Sequence, residues 1–188
     1  MGAGRLVVLS GPSGVGKGTV VAGLLLRRPI TLAVSATTRP RRPDEVDGRD
    51  YHFVDEMAFD RLIADNGLLE WAEYAGRRYG TPAAAVRSAV EEGRDVLLEI
   101  EVQGARQVRD RHPEALLVLL VPPSWEELGR RLAARGTENA AAILDRLAAA
   151  RAELADTELF DHVVVNQDVA AAVAELDRIL GLPPPTRS

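Results

Sequence analysis

Short apolar runs rich in Val, Ile and Leu recur along the chain and predict buried strands. They are RLVVLS at 5–10, ITLAVS at 30–35, DVLLEIEV at 95–102, ALLVLLV at 115–121 and HVVVN at 162–166. Segments of helical character lie between them, such as TVVAGLLLRR after the first run and ARQVRDRH after the third. Strands that alternate with helices form a mostly parallel sheet covered on both faces, so the pattern predicts an α/β fold.

Three helices are predicted in the last third of the chain. Ser124 and Glu127 form a Ser-x-x-Glu capping box, so a helix is expected to begin there, run to Arg135 and stop at Gly136. A second, Arg- and Ala-rich helix is expected from about residue 138 to 154. A last helix is expected over 169–180, because its apolar residues are spaced for one buried face.

The stretch from Thr37 to Thr81 interrupts the alternation of strands and helices. It opens with TTRPRRPDEVDGRD, which is dense in charge, and continues with short strand-like pieces around one helix at 55–66. We interpret it as an inserted lobe rather than a linker, because its aromatic side chains are numerous enough to form a small core. These are Tyr51, Phe53, Phe59, Trp71 and Tyr74.

Composition excludes several classes of protein. The 188 residues suit one compact body, and a net charge of −5 offers no broad attraction to nucleic acid or to an anionic membrane. The absence of cysteine excludes disulfides and cysteine-based metal sites. No apolar run approaches the roughly 20 residues of a membrane span, so we expect a cytoplasmic protein.

The segment GPSGVGK at 11–17 fits the pattern Gly-x-x-x-x-Gly-Lys and lies between a predicted strand and a predicted helix. In that setting the glycines let backbone N–H groups point at phosphate oxygens, and the following helix presents its positive end to the same anion. Lys17 is the only lysine in the chain, whose other 22 basic residues are arginine. A compact ammonium on a flexible stem reaches between phosphates, whereas guanidinium is a wide planar fork. The sequence therefore predicts a P-loop.

Gly18 departs from the common P-loop, in which a Ser or Thr hydroxyl at this position binds Mg²⁺. Thr19 lies one place too late for that role, so the metal is expected to be held through water or by acidic side chains elsewhere. Glu99 and Glu101 lie two apart at the end of an apolar strand, on one face of it. The carboxyl edge of such a sheet is where α/β proteins bind ligands, so one of these two is a candidate to order the water around Mg²⁺.

Taken together, these segments resemble the guanylate kinase family over nearly the whole chain. The likeness is specific in the order and spacing of its pieces, of which the P-loop and the TTRPxRxxExxGxDYxF stretch carry most. The pieces are GPSGVGKGT at 11–19, VSATTRPRRPDEVDGRDYHFV at 34–54, LLEWAEYAGRRYGTP at 68–82, LLEIEVQGA at 97–105, RGTEN at 135–139 with Arg146 beyond it, and VVVNQD at 163–168.

The resemblance implies a P-loop nucleoside monophosphate kinase fold that transfers the γ-phosphoryl group of ATP to GMP, with Mg²⁺ as the companion of ATP. It implies a core domain (1–36, 82–124 and 156–188), a GMP-binding lobe (37–81) and a helical lid (125–155). Two positions depart from the family: Gly18, and Glu101 where Asp is expected. The longer side chain of Glu101 favours contact with the metal through water.

The resemblance also implies the site residues. The ATP side is Gly11, Pro12, Ser13, Gly14, Val15, Gly16, Lys17, Gly18, Thr19, Arg135 and Asn166, the last near the adenine. The GMP side is Ser35, Arg39, Arg42, Tyr51, Glu70, Tyr79 and Thr81, with Glu99 nearby. The catalytic set is Lys17, Arg39, Arg135 and Arg146.

These assignments agree with the chemistry of the residue types. Guanine presents a ring N–H and an amine side by side, and the acceptor-only carboxylate of Glu70 matches that pair of donors. Hydroxyls at Ser35 and Thr81 are expected to donate to the guanine carbonyl. Arg39 and Arg42, in a loop stiffened by prolines, match a phosphate with their planar forks, helped by the two tyrosine hydroxyls.

Two alternatives remain open at the level of sequence. One is another phosphotransferase on the same scaffold, acting on a different nucleoside monophosphate or on a phosphorylated sugar. The other is a non-catalytic guanylate-kinase-like module that binds protein partners. The partners expected on the main hypothesis are ATP and GMP, with no nucleic acid and no membrane, and the sequence leaves the oligomeric state open.

Overall fold

The computed structural model describes residues 3–74, 76–134, 140–154 and 157–182. The strands are β1 (Leu6–Ser10), β2 (Thr31–Leu32), β3 (Ala36–Thr37), β4 (His52–Phe53), β5 (Leu68–Tyr74), β6 (Arg77–Pro82), β7 (Val96–Glu99), β8 (Leu116–Val121) and β9 (His162–Val165). The α-helices are α1 (Lys17–Leu25), α2 (Glu56–Ala64), α3 (Ala83–Glu91), α4 (Val102–Arg111), α5 (Trp125–Ala133), α6 (Ala140–Glu153) and α7 (Val169–Leu180), and a 3₁₀ turn spans Thr157–Leu159.

A five-stranded sheet has the order β2-β7-β1-β8-β9. The pairs β2–β7 and β8–β9 are parallel, and all five residues of β1 are buried. A strand that is buried on both faces, as β1 is, contains a continuous apolar run rather than an alternating one. The predicted α/β fold with a mostly parallel sheet is confirmed.

The apolar run at 30–35 does not form one strand as the sequence pattern predicted. Only Thr31–Leu32 joins the five-stranded sheet, and Ala36–Thr37 forms β3 in a second sheet of order β4-β3-β6-β5. Between them the carbonyl of Ser35 accepts a hydrogen bond of 2.9 Å from the His52 amide. Ala33, Val34 and Ser35 belong to no strand, and β3 begins just after the run, because strand membership depends on partners far away in the sequence.

The second sheet packs on α2 through a small core, although its membership differs from the five aromatic residues expected. Phe59 is fully buried beside Ala36 and Leu68, and the Trp71 ring lies 6.5 Å from that of Phe59. Tyr51 instead packs on Phe53, with ring centroids 5.9 Å apart. The aromatic side chains of this stretch therefore divide between a buried core and a separate aromatic group.

Side-chain caps mark the helix starts that the sequence indicated. The carboxylate of Asp55 accepts from the amide of Ala58 at 2.7 Å, and α2 begins there. Ser124 accepts from the Glu127 amide at 3.1 Å, which is one half of the predicted capping box. The Glu127 carboxylate bonds arginines of its own helix instead of turning back to Ser124. The predicted helix end at Arg135 and Gly136 and the start of the next helix at 138 lie outside the described residues.

The chain divides into two compact units. The first unit comprises the described residues of Met1–Val7, Ile30–Leu98 and Gln103–Ala115, and the second those of Val8–Pro29, Glu99–Val102 and Leu116–Ser188. The division into core, GMP-binding lobe and lid stays a prediction. Among the described residues, no helix combines the length and the apolar character needed to span a membrane.

Candidate functional site

The P-loop, residues 11–17, joins β1 to α1 in the second unit. Gly11 and Gly16 have φ angles of 151° and 98°, which L side chains rarely adopt. A Cβ at Gly11 would lie 2.3 Å from the carbonyl oxygen of Leu120, so the loop also approaches β8 too closely for any side chain. Within the described residues, no side chain caps the first turn of α1 and no acidic residue lies in it. The free N–H groups that a helix presents in its first turn make this end of α1 suitable for binding an anionic ligand.

Lys17 lies at the first position of α1, and its ammonium folds back over the loop. Nζ donates to the carbonyl of Gly11, to that of Pro12 at 3.4 Å and to Oε1 of Glu101 at 3.3 Å. The side chain is only 10% exposed. The single lysine is therefore fixed beside the phosphate-binding backbone by two carbonyls and one carboxylate.

Two further carboxylates lie in the electrostatic field of Lys17. Burial raises the pKa of Glu99, an effect that Lys17 opposes and Glu101 reinforces. Burial and the neighbouring Glu101 raise the pKa of Glu153, at the end of α6, to about 7, again against the pull of Lys17. One oxygen each of Glu101 and Glu153 is buried without a hydrogen-bond partner in the described chain. The positive charge of Lys17 thus acts on three carboxyl groups: Glu99, Glu101 and Glu153.

The acidic residues fit a magnesium ion that accompanies a nucleotide. A Cβ built on Gly18 would lie 3.6 Å from Oε1 of Glu99, which places this carboxylate beside the first turn of α1. Glu101 carries a buried oxygen that the protein leaves unbonded in the described part of the chain. Among the described residues, no three acidic or histidine side chains form a metal cage by themselves. Mg²⁺ commonly uses one or two carboxylates, several waters and the phosphates of a substrate, and this arrangement suits that mode.

The side chains of Asn166 and Arg131 hold the backbone of the P-loop through the carbonyl of Val15. The amide of Asn166, 2% exposed, donates to the carbonyl of Val15 at 2.7 Å. Arg131 donates to the same carbonyl at 3.2 Å and to the carbonyl of Asn166 at 3.0 Å. Oδ1 of Asn166 is buried without a partner among the described residues, so an acceptor remains on this side chain. The predicted contact between Asn166 and adenine stays a prediction.

Arg146 connects α6 to the P-loop. Its Nη2 donates to the hydroxyl of Ser13 at 2.9 Å. A cation from α6 therefore lies against the segment expected to hold the phosphates of ATP. Arg135, the other arginine predicted for this role, lies outside the described residues.

Glu70 and Thr81 form a buried pair in the first unit. The register of β5 and β6 places them opposite each other, next to an irregularity between Leu68 and Glu70. Thr81 donates to Oε1 of Glu70 at 2.6 Å, and Thr81 is 1% exposed and Glu70 3%. Because a hydroxyl has one proton, Thr81 in this arrangement offers a ligand only lone pairs. It suits the guanine amine rather than the guanine carbonyl expected from the sequence.

Arg39 lies in an aromatic and acidic surrounding in the same unit. Its Nη1 and Nη2 donate to the two oxygens of Glu45 at 3.0 and 2.6 Å, and this bonding raises the pKa of Arg39 and lowers that of Glu45. Its Cζ lies 5.4 Å from the ring centroid of Tyr51, which in turn lies 6.0 Å from that of Tyr79. Glu45 also accepts from the amide of Arg42 at 2.8 Å. The predicted phosphate-binding arginines are thus brought into one loop.

The structure groups the predicted residues by unit. The P-loop, Lys17, Asn166 and Arg146 belong to the second unit, and Glu99, predicted near GMP, belongs there too. The first unit holds the other predicted GMP residues, namely Ser35, Arg39, Arg42, Tyr51, Glu70, Tyr79 and Thr81. Sequence reasoning missed Glu45, Arg131 and Glu153. Glu45 lies inside the quoted TTRPRRPDEVDGRD motif, and Arg131 lies one helical turn from the capping-box glutamate, so both had a weak signal.

The raised pKa of Glu153 predicts a pH-dependent penalty on stability. The folded chain keeps this proton up to about pH 7, whereas an unfolded glutamate releases it near 4.5, so stability falls as pH rises through that window. Glu153→Gln removes the penalty. After allowance for solvent screening we expect about 1–2 kcal/mol and a Tm higher by about 2–6 °C at about pH 8. Thermal melts at about pH 5 should show almost no difference.

Glu92→Gln serves as the control for that measurement. Bonds from the side chains of Arg94 and Ser88 lower the pKa of Glu92, so its replacement is expected to reduce the Tm at neutral pH, the opposite sign. A Glu153→Gln effect of equal size at both pH values would contradict the assignment of a raised pKa.

Comparison with known proteins places the chain in one family. A family model described as guanylate kinase matches residues 3–181. The guanylate kinase of Thermobifida fusca is 57% identical over 95% of this chain and 92% of its own length, and that of Streptomyces coelicolor is 57% identical over 92% and 88%. The crystal structure of guanylate kinase from Anaplasma phagocytophilum matches with a TM-score of 0.80 at 35% identity over 96% and 86%. The chain belongs to the guanylate kinase family.

Proposed function

We propose that the chain transfers the γ-phosphoryl group of ATP to GMP in the cytoplasm, giving ADP and GDP. The observation that carries the proposal is the buried Glu70 carboxylate, bonded to Thr81 in the unit that also holds Arg39. Family membership makes the chain a phosphotransferase, and this carboxylate supports guanine as the base of the acceptor.

Glu70 selects guanine because an ionised carboxylate only accepts hydrogen bonds. The ring N–H and the amine of guanine are two adjacent donors, and adenine lacks that pair. Adenine would leave the buried carboxylate of Glu70 without these two hydrogen-bond donors. The cost of that loss allows the site to discriminate against the wrong base by as much as about 10⁴-fold. Thr81 completes the recognition by holding one carboxylate oxygen in place at 2.6 Å.

The GMP phosphate binds the arginine loop in this proposal. Arg39 supplies a planar fork, Arg42 a second cation that is 70% exposed, and Tyr51 and Tyr79 two hydroxyls. Dense donors around a phosphate orient its attacking oxygen, and orientation is among the largest contributions that a protein can make to this type of transfer.

The phosphates of ATP bind the P-loop backbone and Lys17, with Arg146 approaching from α6. Arg135 completes the proposed set of cations. The attacking oxygen belongs to a phosphate that is already anionic, so no general base is required. When bound, Mg²⁺ would supply charge neutralisation to the phosphates of ATP, and Glu99 and Glu101 would hold its waters. The chain's own residues position the two nucleotides and neutralise the transferred group.

A coupled assay of ADP release tests the proposed reaction. With ATP and Mg²⁺ present, GMP should support turnover, whereas AMP, dTMP and ribose bisphosphate should be slower by about 10³-fold or more. Equal rates with several acceptors would favour another phosphotransferase on this scaffold. Failure to bind ATP would instead favour the protein-binding module.

Glu70→Gln tests the base-reading role. The amide replaces one acceptor oxygen by a donor, so kcat/KM for GMP should fall by about 10²-fold or more, while the KM for ATP changes by less than about threefold. Glu73→Gln is the matched control, because Glu73 lies on the same strand with an exposed side chain. Equal damage to both substrates would remove Glu70 from base recognition.

Gly18→Ser tests whether glycine is merely tolerated at the position of the usual metal-binding hydroxyl. A Cβ there would meet Glu99 at 3.6 and 3.9 Å, which is ordinary contact, so we expect kcat within about threefold of wild type. Gly16→Ser is the contrast: its φ is 98° and a Cβ would lie 2.7 Å from Nδ2 of Asn166, so activity should be lost. An inactive Gly18→Ser enzyme would contradict this account of the position.

A further inference from the structure

The carboxylate of Glu45 lies among the residues proposed to bind the GMP phosphate, yet the proposed function gives it no task. It is an acid in a site meant for an anion. Its side chain is only 12% exposed. Its two oxygens accept three hydrogen bonds of 2.6 to 3.0 Å, two from the Arg39 guanidinium and one from the Arg42 amide.

Glu45 occupies one particular edge of Arg39. A guanidinium has an end edge, formed by Nη1 and Nη2, and a side edge, formed by Nε and the other hydrogen of Nη2. Glu45 takes the end edge, and the carbonyl of Pro40 takes the remaining hydrogen of Nη1 at 2.8 Å. Within the described residues, Nε of Arg39 donates to no protein acceptor. The side edge therefore remains for a second bidentate anion.

Aromatic rings fix the plane of the same guanidinium. Its Cζ lies 5.4 Å from the ring centroid of Tyr51 and 5.7 Å from that of Phe53. Cation–π contacts at such distances favour a set position over the ring face. With the end edge held by Glu45 and the plane set by the rings, Arg39 has little freedom left to lose when it binds a phosphate.

Two roles for such an acid make opposite predictions. A placeholder anion would leave when the phosphate arrives, and its removal would strengthen phosphate binding by adding net positive charge. A positioning acid would stay, and its removal would weaken binding. Three charge-assisted bonds would have to break for Glu45 to leave, whereas the phosphate finds two donors on the other edge without breaking any. The geometry favours the second role.

We infer that Glu45 is a positioning residue for the acceptor phosphate: it fixes Arg39 by its end edge and presents the side edge to the phosphate of GMP. The inference rests on the proposed function. Glu45 also accepts a hydrogen bond from the backbone amide of Arg42. The side chain of Arg42, whose Nη1 lies 4.0 Å from Glu45, remains available to the phosphate.

Glu45→Gln tests this role, because the amide nitrogen turns a donor toward the guanidinium and breaks the bidentate bond. The Kd and KM for GMP should rise by about tenfold or more, with the KM for ATP within about twofold. Calorimetric titration with guanosine, which lacks the phosphate, should give the same Kd for variant and wild type. Tighter or unchanged GMP binding, or an equal loss for guanosine, would overturn the inference.

Asp50→Asn is the matched control in the same loop. Asp50 accepts from the amide of Val46 at 2.7 Å and from Arg49 at 2.8 Å, so it too joins an arginine and a backbone amide. Its contacts do not include Arg39, and its change should alter the Kd for GMP by less than about threefold. A loss equal to that of Glu45→Gln would assign the effect to general loosening of the loop and overturn the inference.

A double-variant cycle keeps the inference testable even where Glu45→Gln alone folds poorly. Arg39→Met combined with Glu45→Gln leaves neither partner of the ion pair behind. If Glu45 acts through Arg39, adding Glu45→Gln to Arg39→Met should change the Kd for GMP by less than about twofold. A full additional loss would overturn the inference. Wild-type protein that binds GMP no better than AMP would instead defeat the proposed function, so the two failures are distinguishable.

Discussion

The ammonium of Lys17 is the interaction on which the nucleotide site depends. Its contacts to the carbonyls of Gly11 and Pro12 hold the Lys17 side chain over the loop, and its bond to Glu101 connects that loop to the segment after β7. The same charge opposes the raised pKa values of Glu99 and Glu153. Without it, Glu99 and Glu153 would lose the attraction that opposes their raised pKa values. The chain's only lysine therefore stabilises the site as well as suiting phosphate.

A common arrangement recurs in the two units: in each, one cation of the predicted catalytic set is bonded to a protein carboxylate. Lys17 bonds Glu101 at 3.3 Å, and Arg39 bonds Glu45 at 2.6 Å. A free cation would bind phosphate more strongly by charge alone, but it would also be mobile and would lose side-chain entropy on binding. The carboxylates lower the net charge around these cations and fix the orientation of their side chains. Phosphoryl transfer between two phosphates requires alignment of the reacting oxygens. A fixed orientation of the cation therefore contributes more to this reaction than a stronger attraction to phosphate.

Local features were predictable from the sequence, and features set by distant pairing were not. The glycine spacing of 11–17 dictates its own backbone, and Asp168, like Asp55, caps the helix that the apolar pattern indicated. The end of β2 at Leu32 and the start of β3 at Ala36, just after the run at 30–35, depend on partner strands elsewhere in the sequence, and no pattern within the run records them. For the same reason the sequence did not show which group the Thr81 hydroxyl donates to. Its partner, Glu70, is brought opposite Thr81 only by the register of β5 and β6.

The acidic residues that sequence reasoning missed share a physical reason. Glu45 and Glu153 were charged residues in charged surroundings, which are usually solvated, and partial burial is what distinguishes them. The loop places the Glu45 side chain at 12% exposure, and one oxygen of Glu153 is wholly buried. A buried carboxylate is costly unless a cation or a proton compensates it. Glu45 has the cation and Glu153 has the proton up to about pH 7, so the two carboxylates are accommodated by opposite means. Of these two carboxylates, Glu45 is the one that holds an arginine in place.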